Sequence, residues 1–107
     1  IVIGYPVFLS PLAEHRIEGI LAFLRAEWGE PARDRFIAKL RSSLELIGRY
    51  PGGAPSSSAM PGVRRLVVTK QTAIYYRVAQ DAVEVITVID TRQDPEAIKR
   101  ELRELFG

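Results

Sequence analysis

The stretch Val63–Arg92, VRRLVVTKQTAIYYRVAQDAVEVITVIDTR, holds three runs rich in Val, Ile, Thr and Tyr, separated by short polar breaks. β-Branched and aromatic residues suit a pleated, half-buried surface, and breaks this short leave room only for hairpin turns. The stretch therefore predicts a meander with strands over Val63–Thr69, Thr72–Val78 and Val83–Ile89. Lys70-Gln71 is the first turn, and a loop over Ala79–Ala82 containing Asp81 is the second. Apolar residues occupy both alternating phases of the last two strands, so both of their faces are expected to be buried for much of their length. Five cations, Arg64, Arg65, Lys70, Arg77 and Arg92, stand against Asp81, Glu84 and Asp90. The surplus of +2 equals the formal charge of the whole 107-residue chain, so the flanking segments cancel among themselves.

Upstream, Tyr5–Leu9 reads as a short strand. Pro6 brings no ladder donor, which favours a sheet edge or a strand start. Ser10-Pro11 is a helix start, an oxygen-bearing N-cap followed by proline at the first helical position. Leu12, Ile17, Ile20, Leu21, Leu24 and Trp28 then recur at three- and four-residue steps, predicting an amphipathic helix that ends near Trp28-Gly29. Pro31 opens a second helix with Phe36, Ile37, Leu40, Leu44 and Ile47 as its apolar stripe, ending before Tyr50-Pro51 because proline pushes its predecessor out of the helical region. The break at Gly29-Glu30-Pro31 is so short that the two helices, over about residues 11–49, form an antiparallel hairpin whose joint apolar face needs a sheet.

Pro51–Gly62, PGGAPSSSAMPG, is the one low-complexity segment and reads as a mobile surface tether between hairpin and sheet. Beyond the meander of about residues 63–90, Asp94 is a candidate N-cap and Pro95 the first residue of a last helix. It runs to about residue 106, with Ile98, Leu102, Leu105 and Phe106 as its stripe. An amphipathic helix this short and terminal is expected to pack over the sheet until a partner displaces it. The element order is β-α-α-β-β-β-α.

A chain of this length is one domain, residues 1–107, with one core. Its 47% hydrophobic and 26% charged residues describe a folded protein and not a disordered tail. No apolar run approaches the roughly 20 residues a membrane span needs, and the apolar opening lacks the basic stretch of a signal peptide. No membrane partner is expected. Ile1 stands where a methionine would, which places the true start upstream. Cysteine is absent and His15 is the only histidine, so thiolate and multi-histidine metal sites are excluded and no metal or cofactor is expected. The absence of disulfides suits a reducing cytoplasm. A pI near 9.2 permits an anionic partner without requiring one.

For chemistry, residues two apart on a strand share a face. Tyr75 therefore goes with Arg77, while Tyr76 goes with Ile74 and Val78. Five cations and two tyrosines on one curved sheet suit a phosphate grip with stacked bases, and equally suit an ordinary half-exposed sheet. Asp90 and Asp94 flank Thr91-Arg92-Gln93, where a carboxylate near a cation serves as a general base or as a turn and helix cap; for Asp94 the cap is the better reading. His15, in the first turns of a packing helix, reads as a surface histidine. The serines 56–58 and Met60 have no base beside them and receive no chemical role.

Taken in order, Ser10-Pro11 with Ala13-Glu14, the Trp28-Gly29 helix end, Tyr50-Pro51, Gly62 with Arg64-Arg65-Leu66-Val67, Tyr75-Tyr76-Arg77-Val78 and Asp90-Thr91-Arg92-Gln93-Asp94-Pro95 resemble the RelE/ParE superfamily of toxins from bacterial type II toxin–antitoxin modules. The resemblance spans about residues 5–95. It implies an α+β fold, a helical hairpin packed on a twisted, mainly antiparallel four-stranded sheet. It implies a cognate antitoxin that wraps the toxin and covers its working surface, and it allows a homodimer. RelE-like members cleave messenger RNA on the ribosome with Arg, Lys and often a Tyr, His or Glu. ParE-like members act on DNA gyrase and lack that set. Many nuclease members carry a histidine or tyrosine at or soon after the end of the last strand. This chain has Asp90 there, then Thr91-Arg92, and no aromatic residue until Phe106.

The resemblance therefore favours a ParE-like gyrase inhibitor without chemistry of its own. The alternative is a RelE-like endoribonuclease with Arg77, Arg92 and Tyr76 as its catalytic residues. In either case Arg64, Arg65, Lys70 and Tyr75 are the expected binding residues for target or nucleic acid. A third reading is an inactive module of the same fold that binds a partner protein.

Overall fold

A computed structural model of the protein describes residues 4–106. The ends of the expected domain, residues 1–3 and Gly107, lie outside the described residues, as does the side chain of Phe106. The elements are β1 (Val7–Leu9), α1 (Pro11–Trp28), α2 (Glu30–Arg49), β2 (Arg64–Thr69), β3 (Thr72–Ala79), β4 (Ala82–Asp90) and α3 (Pro95–Phe106). This is the expected α+β order. The four strands form one sheet in the order β1-β4-β3-β2. β2, β3 and β4 are antiparallel neighbours, and β1 lies at the edge, parallel to β4.

Local chemistry accounts for the boundaries. The Ser10 hydroxyl accepts a hydrogen bond from the Ala13 N–H at 3.0 Å, capping α1. Gly29, at φ +90°, closes α1 and starts α2 in a conformation that L side chains rarely adopt, so the hairpin turns on one residue. β1 is shorter than expected because Pro6 has no N–H for the ladder and the Tyr5 N–H is engaged off the sheet, donating to Gly48 O at 2.6 Å; of this segment Pro6 O still reaches β4, accepting from the Val83 N–H at 2.9 Å. Gly48 permits that approach, since a Cβ there would meet Tyr5 O and Val7 Cγ2 at 3.0 Å. The second hairpin loop is also tighter than expected. β3 and β4 pair through Ala79 and Ala82, and Gln80 and Asp81 turn at φ +51° and +62°, the twist a two-residue hairpin requires.

The hairpin and α3 cover opposite faces of the sheet. Under the hairpin, Ala13, Ile17, Phe36, Leu40 and Ile47 pack on Ile74, Tyr76, Val83, Val85 and Val88. Under α3, Ile98 and Leu102 pack on Val63, Ala73, Tyr75, Ile86 and Ile89. The alternation of β4 changes phase because Tyr75 pairs with Thr87 while Tyr76 pairs with Val85, which leaves Ile86 as a bulge. Both faces of β3 and β4 are buried over much of their length, as expected, while Arg77–Ala79 at the end of β3 are exposed.

Two further expectations need correction. Leu105, assigned to the stripe of α3, is 41% exposed, and Ile98 and Leu102 alone of that stripe are buried among the described residues. The segment over residues 51–62 is also more than a tether. It is fastened along the outer edge of β2, where the Arg65 N–H donates to Pro55 O at 3.1 Å and the Ser57 N–H to Val63 O at 2.7 Å. An edge strand's spare backbone groups have been satisfied by a loop that composition alone marks as unstructured.

Candidate functional site

The seven residues singled out on the meander divide by face and by end, so they do not form one site. Arg64 and Tyr76 sit on the hairpin side. The Tyr76 hydroxyl donates to Pro51 O at 2.8 Å and Arg64 Nη1 donates to Ala54 O at 2.6 Å, so both nail the 51–54 segment onto the sheet. Tyr76 is fully buried. Burial pushes its phenol above its ordinary pKa, against the opposing charge of Arg64 and a backbone hydrogen bond at Ala54. Such a group holds its proton at any pH the protein meets.

Arg65, Tyr75 and Arg77 occupy the other face. Arg65 Nε donates to the Tyr75 hydroxyl at 3.1 Å, and Tyr75 is 3% exposed beneath α3. Arg77 lies two residues along β3 on the same face as Tyr75, as the two-residue period requires. Its Nε donates to Glu84 Oε1 at 2.8 Å across the strand pair.

Lys70 and Arg92 lie at the far end. Thr91 Oγ1 donates to Lys70 O at 2.6 Å, tying the β2–β3 turn to the loop after β4. Arg92 grips Asp90 twice, through Nη2 to Oδ2 at 2.7 Å and Nε to Oδ1 at 3.0 Å. The Arg92 side chain, with its backbone N–H, holds the Asp90 carboxyl down at about 2. A carboxylate that acidic is a poor proton acceptor near neutrality. Asp90 pairs with Thr72, five residues before Arg77 on β3, so Arg77 and Arg92 are separated by roughly 17 Å of strand. Asp94 acts as the helix cap it was expected to be, accepting the Glu96 N–H at 3.2 Å.

Sequence reasoning missed two groups. The first is Arg16 on α1. It donates to both Glu101 oxygens at 2.6 Å, to Thr87 Oγ1 at 2.8 Å and to Val88 O at 3.2 Å. It joins the hairpin, the edge of β4 and α3 through one guanidinium. No local pattern reveals a pair 85 residues apart in the chain.

The second is a cleft of about 820 Å³ between the hairpin and the far end of the sheet. α1 supplies His15, Gly19 and Phe23, and α2 supplies Arg35, Phe36 and Lys39. Asp90 and Arg92 stand at its end. This surplus was legible: Arg35 and Lys39 are four apart on α2, and neither has a carboxylate three or four residues away. Among the described residues no cluster of His, Cys, Asp or Glu fit to hold a metal occurs, and no helix is long and apolar enough to cross a membrane.

Residues 7–95 match the profile of the family described as "ParE toxin of type II toxin-antitoxin system, parDE". No curated protein sequence matches the chain significantly. Among solved structures the fold is similar to the chromosomal ParDE system of P. aeruginosa, with a TM-score of 0.71 at 15% identity over 80% of this chain and 95% of that one. It is similar to a free-state arginine-to-alanine double mutant of E. coli toxin RelE, with a TM-score of 0.62 at 16% identity over 94% and 98%. It is also similar to the RelBE2 toxin–antitoxin complex of Mycobacterium tuberculosis, with a TM-score of 0.59 at 13% identity over 87% and 98%.

Proposed function

The chain belongs to the ParE toxin family of type II toxin–antitoxin systems, and we propose that it arrests growth by binding DNA gyrase and is neutralised by a cognate antitoxin. The observation that carries the choice of target is the dispersal of the groups a nuclease would need. Tyr76 is buried with its proton donated to Pro51 O, and Tyr75 lies under α3 with Arg65 on its hydroxyl. Asp90 is held by Arg92 at the opposite end of β3 from Arg77. Transfer of a proton from a ribose hydroxyl needs a base within about 3 Å of it, and among the described residues no exposed base stands beside Arg77 and Arg92 together. Inhibition by contact needs only a surface.

Induced expression with parallel pulse labelling of DNA and protein synthesis tests this reading. Early loss of DNA synthesis with the damage response switched on, and loss of supercoiling by purified gyrase when toxin is added, are the expected results. No effect on gyrase at a large molar excess of toxin sinks the proposal. One observation favours a second reading, a ribosome-dependent ribonuclease: Arg65, Tyr75 and Arg77 share a sheet face. On that reading protein synthesis fails first, and Arg77→Ala and Arg92→Ala each abolish RNA cleavage while leaving the fold intact.

A further inference from the structure

The sheet has two edge strands, and they are finished differently. The outer edge of β2 is covered by the segment over residues 51–62. On β1, a parallel pair directs the main-chain groups of every second residue toward β4: Pro6 O accepts from the Val83 N–H, and the Ser10 N–H donates to Val85 O. Residues 5, 7 and 9 therefore aim theirs outward. The Tyr5 N–H is taken by Gly48 O, but the N–H and C=O of Val7 and of Leu9 have no partner among the described residues.

Beside that open edge runs a groove of about 560 Å³, with Val7 and Leu9 on one wall and Ile37 and Leu44 of α2 on the other. Arg41 and Glu45 on its rim are both exposed, and neither makes an ion pair among the described residues. On the opposite face of β1, Phe8 stands 58% exposed beside Glu84. A strand edge next to a helix is a seat for an extended chain, whose backbone continues the ladder while alternate side chains fill the groove.

This seat is complementary to itself. In antiparallel pairing about a two-fold axis at Phe8, Val7 of one copy faces Leu9 of the other, and each such pair exchanges two hydrogen bonds, so every open group on both edges is satisfied. Phe8 then meets the second copy's Phe8 in a non-hydrogen-bonded pair, with Cβ atoms about 4.5–5.5 Å apart. The rim charges agree with the same axis. α2 runs antiparallel to β1, from the Asp90 end of the sheet to Gly48, which lies against Tyr5 O and Val7 Cγ2. From Pro6 to Phe8 the strand covers about 7 Å, or roughly four to six residues of helix, so the axis crosses α2 near Leu44 and sets Arg41 of each copy against Glu45 of the other.

We propose that two copies of this chain join edge to edge through β1, making one eight-stranded sheet from two four-stranded ones, with Phe8 on Phe8 at one face and the α2 rims paired at the other. This goes beyond the gyrase reading and does not depend on it.

The test uses full-length, antitoxin-free protein, which has no cysteine of its own. Phe8→Cys should give a disulfide-linked dimer on mild oxidation, in at least about tenfold higher yield than Val67→Cys, a comparably exposed site on the other edge strand. In the wild type, the Val7 and Leu9 amides should exchange about tenfold or more slowly as protein concentration rises from about 1 to about 500 µM, while the Phe8 amide, which faces β4, stays unchanged. Phe8→Lys sets two cations face to face at an exposed position and should weaken dimerisation in analytical ultracentrifugation at least about tenfold. Arg41→Glu should weaken it too, and Arg41→Glu/Glu45→Arg should restore it. A Phe8→Cys yield no higher than that of Val67→Cys overturns the inference. So does a dimer that survives Phe8→Lys unchanged, because its interface lies elsewhere, and a double charge reversal that restores nothing overturns the axis. Val7 and Leu9 protection that is independent of concentration means that the edge is covered from within the chain, and fast exchange at every concentration means that it stays open; either result overturns the inference.

Discussion

The two faces of the sheet are built from adjacent residues and stabilised in different ways. Tyr75 and Tyr76 are neighbours in one strand, yet Tyr76 lies beneath 38 residues of helical hairpin and Tyr75 beneath the 12 residues of α3. On the hairpin side the apolar cluster draws on both long helices and all three meander strands. On the α3 side two buried side chains, Ile98 and Leu102, hold a terminal helix with the help of one ion pair. The first face is bound to the global fold. The second is closed by a short helix, which we propose leaves while the rest stays.

Substitutions at matched positions should separate the two. Tyr76→Ala removes a large, fully buried side chain and should cost about 3–5 kcal/mol in denaturant melts, lowering the midpoint for the whole molecule. Tyr76→Phe keeps the volume and loses only the bond to Pro51 O, about 1 kcal/mol. Leu102→Ala truncates an equally buried side chain, and by size alone would cost about 2–4 kcal/mol. If the contrast holds, that loss is local. Amides of α3 should exchange as though unfolded and proteases should cut within residues 95–106, with the hairpin's midpoint nearly unchanged. A global midpoint shift as large as that of Tyr76→Ala would erase the distinction.

Glu101→Gln should act in the same direction and more weakly, by about 1–2 kcal/mol. The pair is bidentate but partly exposed, at 33% for Arg16 and 18% for Glu101, which discounts it. Faster exchange confined to α3 is the measurement that checks it. The smallest effect belongs to Asp90. Its carboxyl is lowered from 3.8 to about 2 in the folded protein, so the pair with Arg92 contributes fully above about pH 4 and is lost as pH falls through 2. An NMR titration of Asp90 should move back toward 3.8 in Arg92→Ala.

The asymmetry also explains what was legible in the chain. Element order, the Ser10 and Asp94 caps, the Gly29 break and the edge position of β1 all follow from local chemistry within a few residues. So does the separation of Tyr75 from Tyr76. What the chain hid depends on distance: the parallel pairing of β1 to a strand some 75 residues later, the Ile86 bulge and the Arg16–Glu101 pair. The expected site suffered for the same reason. Counting cations on a stretch of strand does not say which of two faces, or which of two ends, each one reaches. The cleft leaves a local trace in the sequence, the unrelieved Arg35–Lys39 spacing on α2.

The β4 edge carries one more consequence, for self-association. β1 is three residues long and pairs only with Val83–Val85, so β4 should run on with a bare row of acceptors. Two side chains from the start of α1 prevent that: the Ser10 hydroxyl donates to Ile86 O at 2.6 Å and Arg16 to Val88 O at 3.2 Å. A strand from another molecule arriving at Ile86–Val88, among the most β-prone and apolar residues in the chain, finds those carbonyls already bonded. The same helix start that shapes the fold thus guards its most adhesive margin, and a toxin held at high local concentration in a complex, or released from one, has no open template there on which to aggregate.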